Sequence, residues 1–512
     1  MHCLVTRLVN ELFLADFCLP RPAETGQKQP FTFRRKSVSE PNSGGQSRAI
    51  FTSRSCMPLG RGQEETMSKR DKRGNPVSYG SQEAIDALDR ACDLMHAYQA
   101  DPLAAADKII AEHPDFALAY AFRAGAITTA TDKTFDSELF KSLDAAERLA
   151  PKANDRERQH IRAVRAWFGG DWERAIEIWG RVSIEHPRDL LALQYAHLGD
   201  FYLGYSHMLR DRVARVMPRW DNDVPGFGFV KGMYAFGLEE AGDYRQAEEQ
   251  GREAVALNPQ DGWAVHAVTH VMEMQGRSEE GAKYLSSSAN AWAPNSMFAF
   301  HLWWHKALFL LEANDVAGAL RLFDEDISAG GFGQALELLD GSALLWRLSL
   351  LGHDVGDRWK GLAKKWESRC EDGFYAFNDV NAMMSFVGSG NSRAQAQQLD
   401  ALKRAAAGSG TNAMMSREIG VPACEGLVAF GRGDYAQAIA SLMPLRAKAN
   451  RFGGSHAQRD VFSWTLTEAA IRLGNRALAE ALVAERLALK PESPINRAWK
   501  MRAGQLQSLH AG

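Results

Sequence analysis

The chain has 512 residues, 45% apolar and 24% charged, with 60 basic and 63 acidic side chains for a formal net charge of −3. That composition is ordinary for a globular protein. The near balance of charge gives no electrostatic footprint for nucleic acid and no polybasic membrane patch, so neither partner is expected. No run of about 18 apolar residues occurs, which excludes a spanning helix of usual length.

The first stretch, "MHCLVTRLVNELFLADFCLPRP", is broken by Arg7, Asn10, Glu11 and Asp16, so it lacks the unbroken apolar core of a signal peptide. Residues 20–75 are rich in Ser, Gly, Pro, Arg and Lys without periodicity. We therefore expect 1–75 to be a disordered extension, with Met67 as the natural start; an Arg-rich targeting peptide is the alternative. The six cysteines (Cys3, Cys18, Cys56, Cys92, Cys370 and Cys424) form no C-x-x-C pair. That usage fits a reducing compartment and a cytoplasmic location.

From residue 76 to 508 one punctuation mark recurs. It reads "GGDWERAIEIW" at Gly169, "AGDYRQAEEQG" at Ala241, "QGRSEEGAKYL" at Gln275, "ANDVAGALRLF" at Ala313, "RGDYAQAIASL" at Arg432 and "LGNRALAEALV" at Leu473. Gly242 and Gly276 are 34 residues apart, and Gly276 and Asn314 are 38 apart. A period near 34 is the signature of tetratricopeptide-type helical hairpins. Gly ends the first helix in a left-handed cap. Asp or Ser caps the second, with Gln246 and Gln437 completing Asp versions of the capping box after Asp243 and Asp434. The second helix stops near Pro187, Pro259 or Pro491. A lone hairpin cannot bury its apolar face, so the hairpins must stack. The expectation is one all-α solenoid without significant β-sheet, with a looser connection around 386–416.

Two hairpins carry unusual first helices. "HAVTHVMEM" holds His266 and His270, with Asp261 as a cap; "HLWWHKALF" holds His301 and His305, with Asn295 or Ser296 as a cap. Residues i and i+4 sit one above the other, with β-carbons about 5–6 Å apart. Packed helix axes lie about 8–10 Å apart. Four imidazoles can thus converge on the concave face, although the three-residue offset between histidine spacing and turn spacing rotates the second pair by about 60°. Imidazole suits zinc, iron or nickel, so all four are candidate metal ligands. H-E-x-x-H is absent, and neither of these two helices carries Glu-x-x-His. The bland alternative is that each histidine bonds to a neighbouring helix or stacks on Trp263, Trp303 or Trp304.

Further polar clusters occur. In "RFGGSHAQRDVF", Ser455 can cap a helix whose first turn crowds His456, Gln458, Arg459 and Asp460, a setting suited to an anion. The bland alternative is a solvated Arg459–Asp460 pair. In "FNDVNAMMSF", Asn378, Asp379 and Asn381 sit among aromatic and Met residues and serve either as locks between hairpins or as pocket lining. No phosphate-loop, dinucleotide or nucleophile-elbow motif occurs, and "GFGFVKG" at Gly226 is one residue off.

Five blocks, "WAVHAVTHVMEMQGR", "HLWWHKALFLLE", "GSALLWRLSLLGHDVGDRW", "FNDVNAMMSF" and "GGSHAQRDVF", together resemble the tetratricopeptide repeat protein 38 family, also called StaR-like. The resemblance covers about residues 80–508 and implies a helical repeat fold with no established activity. A flavin-hydroxylase role suggested for some members finds no nucleotide fingerprint here. Motif positions fall on His266, His270, His301, His305, Asn378, Asp379, Gln458, Arg459 and Asp460; Asn381 departs, the family commonly having His there. The expected function is binding of a protein or small ligand in a concave pocket lined by these residues with Trp263 and Trp304. The alternative is an enzyme, metal-dependent or not, using the His/Asp/Arg cluster. The sequence names no cofactor and no oligomeric state.

Overall fold

The punctuation sets the turns. In the computed structural model, which describes residues 69–507, Gly170, Gly242, Gly276, Gly433 and Gly474 have φ between +71° and +86°, and Asn314 takes the same role at +57°. Asp171, Asp315, Asp434 and Asn475 then accept backbone N–H groups of the following helix. Asp243 does not cap. Its carboxylate meets Arg210 (3.3 Å) instead, so the expected box with Gln246 is not formed.

The helices are α1 Gln82–His96, α2 Pro102–Glu112, α3 Ala117–Thr128, α4 Asp136–Leu149, α5 Asp155–Phe168, α6 Trp172–Glu185, α7 Leu190–Tyr202, α8 Ser206–Val216, α9 Phe227–Glu240, α10 Tyr244–Leu257, α11 Gly262–Met274, α12 Ser278–Trp292, α13 Ala299–Glu312, α14 Val316–Leu322, α15 Ala335–Leu350, α16 Arg358–Trp366, α17 Ala376–Gly388, α18 Ser392–Ala406, α19 Thr411–Met415, α20 Val421–Gly431, α21 Tyr435–Leu442, α22 His456–Leu473, α23 Arg476–Leu489 and α24 Pro494–Gly504. This is a tetratricopeptide-type all-α hairpin array. Its β features among the described residues are a two-residue antiparallel ladder, β1 Lys69–Arg70 with β2 Pro76–Val77, and an isolated bridge between Gln99 and Ser296.

Two boundaries move. Residues 69–75, expected within the extension, are folded: Arg73 is buried and donates from Nε to Pro225 O (2.9 Å), and Asn75 is buried. The remaining part of that expectation, Met67 included, lies outside the described residues. The stretch 386–416, expected as a looser connection, holds the end of α17, all of α18 and α19; its Gly-Ser segments are the turns between them.

The two helices of each hairpin have different jobs. The second helices are amphipathic: α10 buries only Ala247, Gly251 and Ala254, a stripe at helical spacing. Several first helices are buried nearly all round. In α11 every residue from Gly262 to Glu273 is buried, and α7 and α15 are almost as enclosed. Something must therefore cover their inner side, and it is the far end of the same chain. α22 packs on α11 and α15, and Trp346 Nε1 donates to Thr465 Oγ1 (3.0 Å). Thr411 N donates to Gly170 O (3.0 Å), Tyr375 Oη to Tyr202 O (3.2 Å), and Asn378 Nδ2 to Thr131 O (2.8 Å). The array closes on itself, and its concave side is filled by its own C-terminal hairpins. Among the described residues no helix is long and apolar enough to cross a membrane.

Candidate functional site

α11 is positioned by Asp261, a buried cap that accepts from Trp263 N and Ala264 N (3.0 Å each); burial pushes its carboxyl up to about 7. α13 starts later than expected, at Ala299. Neither Asn295 nor Ser296 caps it; Ser296 Oγ instead accepts from Phe298 N (3.2 Å). The two helices lie side by side, and their histidines meet. Ring centroids are 4.2 Å apart for His266–His270, 4.9 Å for His266–His301 and 4.6 Å for His270–His305. One ring nitrogen from each of the four lies within 4.8 Å of one from every other. The rotation inferred from the spacing is absorbed because the imidazoles reach inward from both helices.

Two of the rings are held from behind by carboxylates, and a third has one nearby. His301 Nδ1 lies 2.7 Å from Asp340 Oδ2 on α15, and His305 Nδ1 lies 2.6 Å from Glu273 Oε2 on α11. His270 Nδ1 is 3.4 Å from Glu239 Oε2 on α9. A carboxylate accepts only from N–H, which fixes the Nδ1–H tautomer of His301 and His305 and leaves their Nε2 lone pairs facing the centre. His266 Nε2 and His301 Nε2 face each other at 3.1 Å. His270 Nε2 and His305 Nε2 are buried with no partner at all. Burial holds His266 and His305 well below the usual imidazole range and His270 at about 4, so these rings are neutral at neutral pH with lone pairs available. Buried acceptors left unpaired are costly, and several converging on one point is what a cation would relieve.

Trp263 leans over His266 (5.0 Å) and Trp304 stacks on His301 (5.3 Å, 14°). Behind Trp304 lies Arg347, fully buried between Trp304 and Trp464, donating to Ala343 O and Ala457 O. On the opposite side the histidines border a cavity of about 200 Å³, lined among others by Tyr98, Phe201, Trp263, Phe298, Leu339 and Gln458.

Apart from Gln458, the other expected residues separate from this centre. His456 Nδ1 meets Glu240 Oε2 (2.9 Å). Burial works to lower His456, and the bond and charge of Glu240 outweigh it, so its imidazole is raised. Arg459 lies 3.7 Å from Glu240 and donates to the Gly453 and Gly454 carbonyls. Asp460 pairs with Arg486 (2.7 Å), which outweighs burial and lowers it; the expected Arg459–Asp460 pair is not made. These three line a separate polar basin of about 980 Å³. Gln458 completes a capping box with Ser455. Asn378 bonds Thr131 O, and Asp379 accepts from Gln398 Nε2 (2.6 Å), its carboxyl pushed up to about 7 by burial. They lock hairpins and do not reach the histidines. Asn381 bonds within its own helix to Phe377 O.

Sequence reasoning missed the four carboxylates around the centre: Glu239, Glu240, Glu273 and Asp340. Their signal was an acid inside an otherwise apolar first helix, as in "GLEEAGD" and "LELLDGSALLW". Glu239, Glu240 and His270 form a second close group of possible ligands. Burial pushes Glu239 well above the carboxylate range, Glu240's charge adding to it.

No family model matches the chain. Among solved structures it is similar to the human IFIT1 dimer with PPP-AAAA (13% identity, 83% of this chain and 95% of that one, TM-score 0.38). It is also similar to the human IFIT1 dimer with m7Gppp-AAAA (14% identity, 83% and 95%, TM-score 0.38) and to Naa15/Naa10 bound to HypK-THB (12% identity, 83% and 66%, TM-score 0.23). One expectation is corrected here. The exclusion of nucleic acid rested on whole-chain charge, yet two of these neighbours are solved with PPP-AAAA and m7Gppp-AAAA. A sum over the chain does not report the charge of one surface, and the exclusion is withdrawn.

Proposed function

We propose that this protein binds a first-row divalent metal ion (zinc, nickel, copper or iron) through His266, His270, His301 and His305 and presents it to a small molecule in the adjoining cavity. The observation that carries the reading is the convergence of four buried ring nitrogens within 4.8 Å, with carboxylates on the far nitrogens of His301 and His305. Metal–imidazole distances of about 2.0–2.1 Å require only a modest contraction of that cluster. Ligating histidines characteristically give their other N–H to a carboxylate. An enzyme at the same centre is the second reading. It is favoured by the cavity, because His266, His301 and Asp340 line it and an ion with more than four positions would meet its contents. The five sequence blocks support membership of the tetratricopeptide repeat protein 38 family. The free, buried thiols of Cys92, Cys370 and Cys424 support a cytoplasmic home.

The test is elemental analysis of the full chain purified without an affinity tag. About one equivalent of metal is expected. It should be lost in the His270→Gln/His305→Gln variant while helical circular dichroism is retained. A chain that takes up no metal from zinc, nickel, copper or ferrous salts, or a double variant that still holds its metal, refutes the reading.

A further inference from the structure

The cavity beside the histidines has a chemical character of its own. It runs from exposed Met297 and Gln334 at its mouth to buried His266, His301 and Asp340 at its base. Its walls are ring faces: Tyr98 is stacked with Trp263 (5.5 Å, 12°), and Phe298 is tilted against both (4.9 and 5.7 Å). No Lys or Arg lines it, so an anion would find no partner there. Its volume, about 200 Å³, can be set against an engineered apolar cavity of about 150 Å³ that accepts benzene. It has room for one ring with a substituent.

Three buried polar atoms on its lining residues lack a partner. Asp340 Oδ2 is committed to His301, but Asp340 Oδ1 is buried without a partner, as are His266 Nδ1 and Trp263 Nε1. Asp340 Oδ1 needs a donor, and Trp263 Nε1–H needs an acceptor. A hydroxyl supplies both. We propose that this cavity binds an uncharged, single-ring aromatic molecule bearing a hydroxyl, the ring between Tyr98, Phe298 and Phe201 and the hydroxyl at the Asp340–Trp263 end. The inference rests on the metal reading only for what the ligand meets there; its own test needs no ion.

The test is calorimetric titration of the metal-free full chain with 4-methylphenol, toluene, benzoate and tyramine. Saturable one-to-one binding of 4-methylphenol is expected. Toluene should be at least tenfold weaker, because it cannot satisfy the buried polar atoms, and benzoate at least tenfold weaker for want of a cation. Ala130→Phe, at a half-buried wall position, should abolish binding. Met297→Trp at the exposed mouth should slow association at least tenfold, and it serves if Ala130→Phe does not fold. Equal binding of toluene, preference for benzoate or tyramine, no binding of 4-methylphenol, or full binding by folded Ala130→Phe overturns the inference. A chain that holds metal yet ignores 4-methylphenol refutes this inference alone. One that binds 4-methylphenol but never metal refutes the metal reading alone.

Discussion

Glu273→Gln tests whether the carboxylates tune the histidine centre. Glu273 Oε2 lies 2.6 Å from Nδ1 of fully buried His305. In the parent that bond is charge-assisted, of a kind that contributes about 1.5–3 kcal/mol, against about 0.5–1.5 kcal/mol for a neutral one. The glutamine keeps the shape and can still accept from Nδ1–H through its carbonyl, so the loss is the difference, about 1–1.5 kcal/mol. At about 1.4 kcal/mol per decade this is roughly a tenfold loss of metal affinity, the lower end of the 10–100-fold range typical of such outer partners. The assay is competition for zinc against a chromophoric chelator, with exposed Glu249→Gln as the control and His305→Gln as the full loss. Affinity within twofold of the parent in Glu273→Gln, with His305→Gln still defective, would show that the carboxylate does not orient the ring. Parent affinity in both would remove His305 from the ligand set.

Three further outcomes are expected. Gly453 sits at φ +85°, where a β-carbon would overlap Tyr202 O and Tyr375 Oη across the seam that closes the array; Gly453→Ala should cost more than about 2 kcal/mol in urea unfolding, and a loss under about 0.5 kcal/mol would show that the seam is not close-packed. Arg347→Met leaves the buried Ala457 carbonyl without its donor, which should cost about 1–3 kcal/mol; an unchanged unfolding midpoint would contradict the hydrogen bond. Burial holds His96 and His197 at about 3, while the unfolded imidazole titrates near 6.5, so between pH 6.5 and 3 the unfolded state binds protons that the folded state refuses. Stability should fall through that window by up to about 1.4 kcal/mol per pH unit for each histidine and stay flat above it. Parallel unfolding series on the parent and on His96→Gln/His197→Gln check this, and identical slopes below pH 6.5 would exclude both residues.

Local chemistry is what the sequence determined by itself. Glycine followed by aspartate or asparagine predicts a left-handed stop and a capped restart, and at Gly170–Asp171, Gly433–Asp434 and Gly474–Asn475 the backbone obeys, since both effects act within a few residues. The two His-x-x-x-His pairs were legible for the same reason: spacing of four on a helix fixes one face. Asp243 shows the limit of this logic, because a carboxylate with the right spacing preferred an arginine from the neighbouring helix. The grouping of polar residues was decided by tertiary structure. Closure of the array brings α22 onto α11 and α15, while packing between consecutive helices commits Asp460 to Arg486 and Asp379 to Gln398 and keeps both from the histidines. Glu239, Glu273 and Asp340 stand 31, 32 and 39 positions from the rings they face, those of His270, His305 and His301. Such pairings depend on which helix faces fold inward, and burial alone makes them obligatory: a charge without water must find a partner, and only the closed superhelix says which partner is within reach.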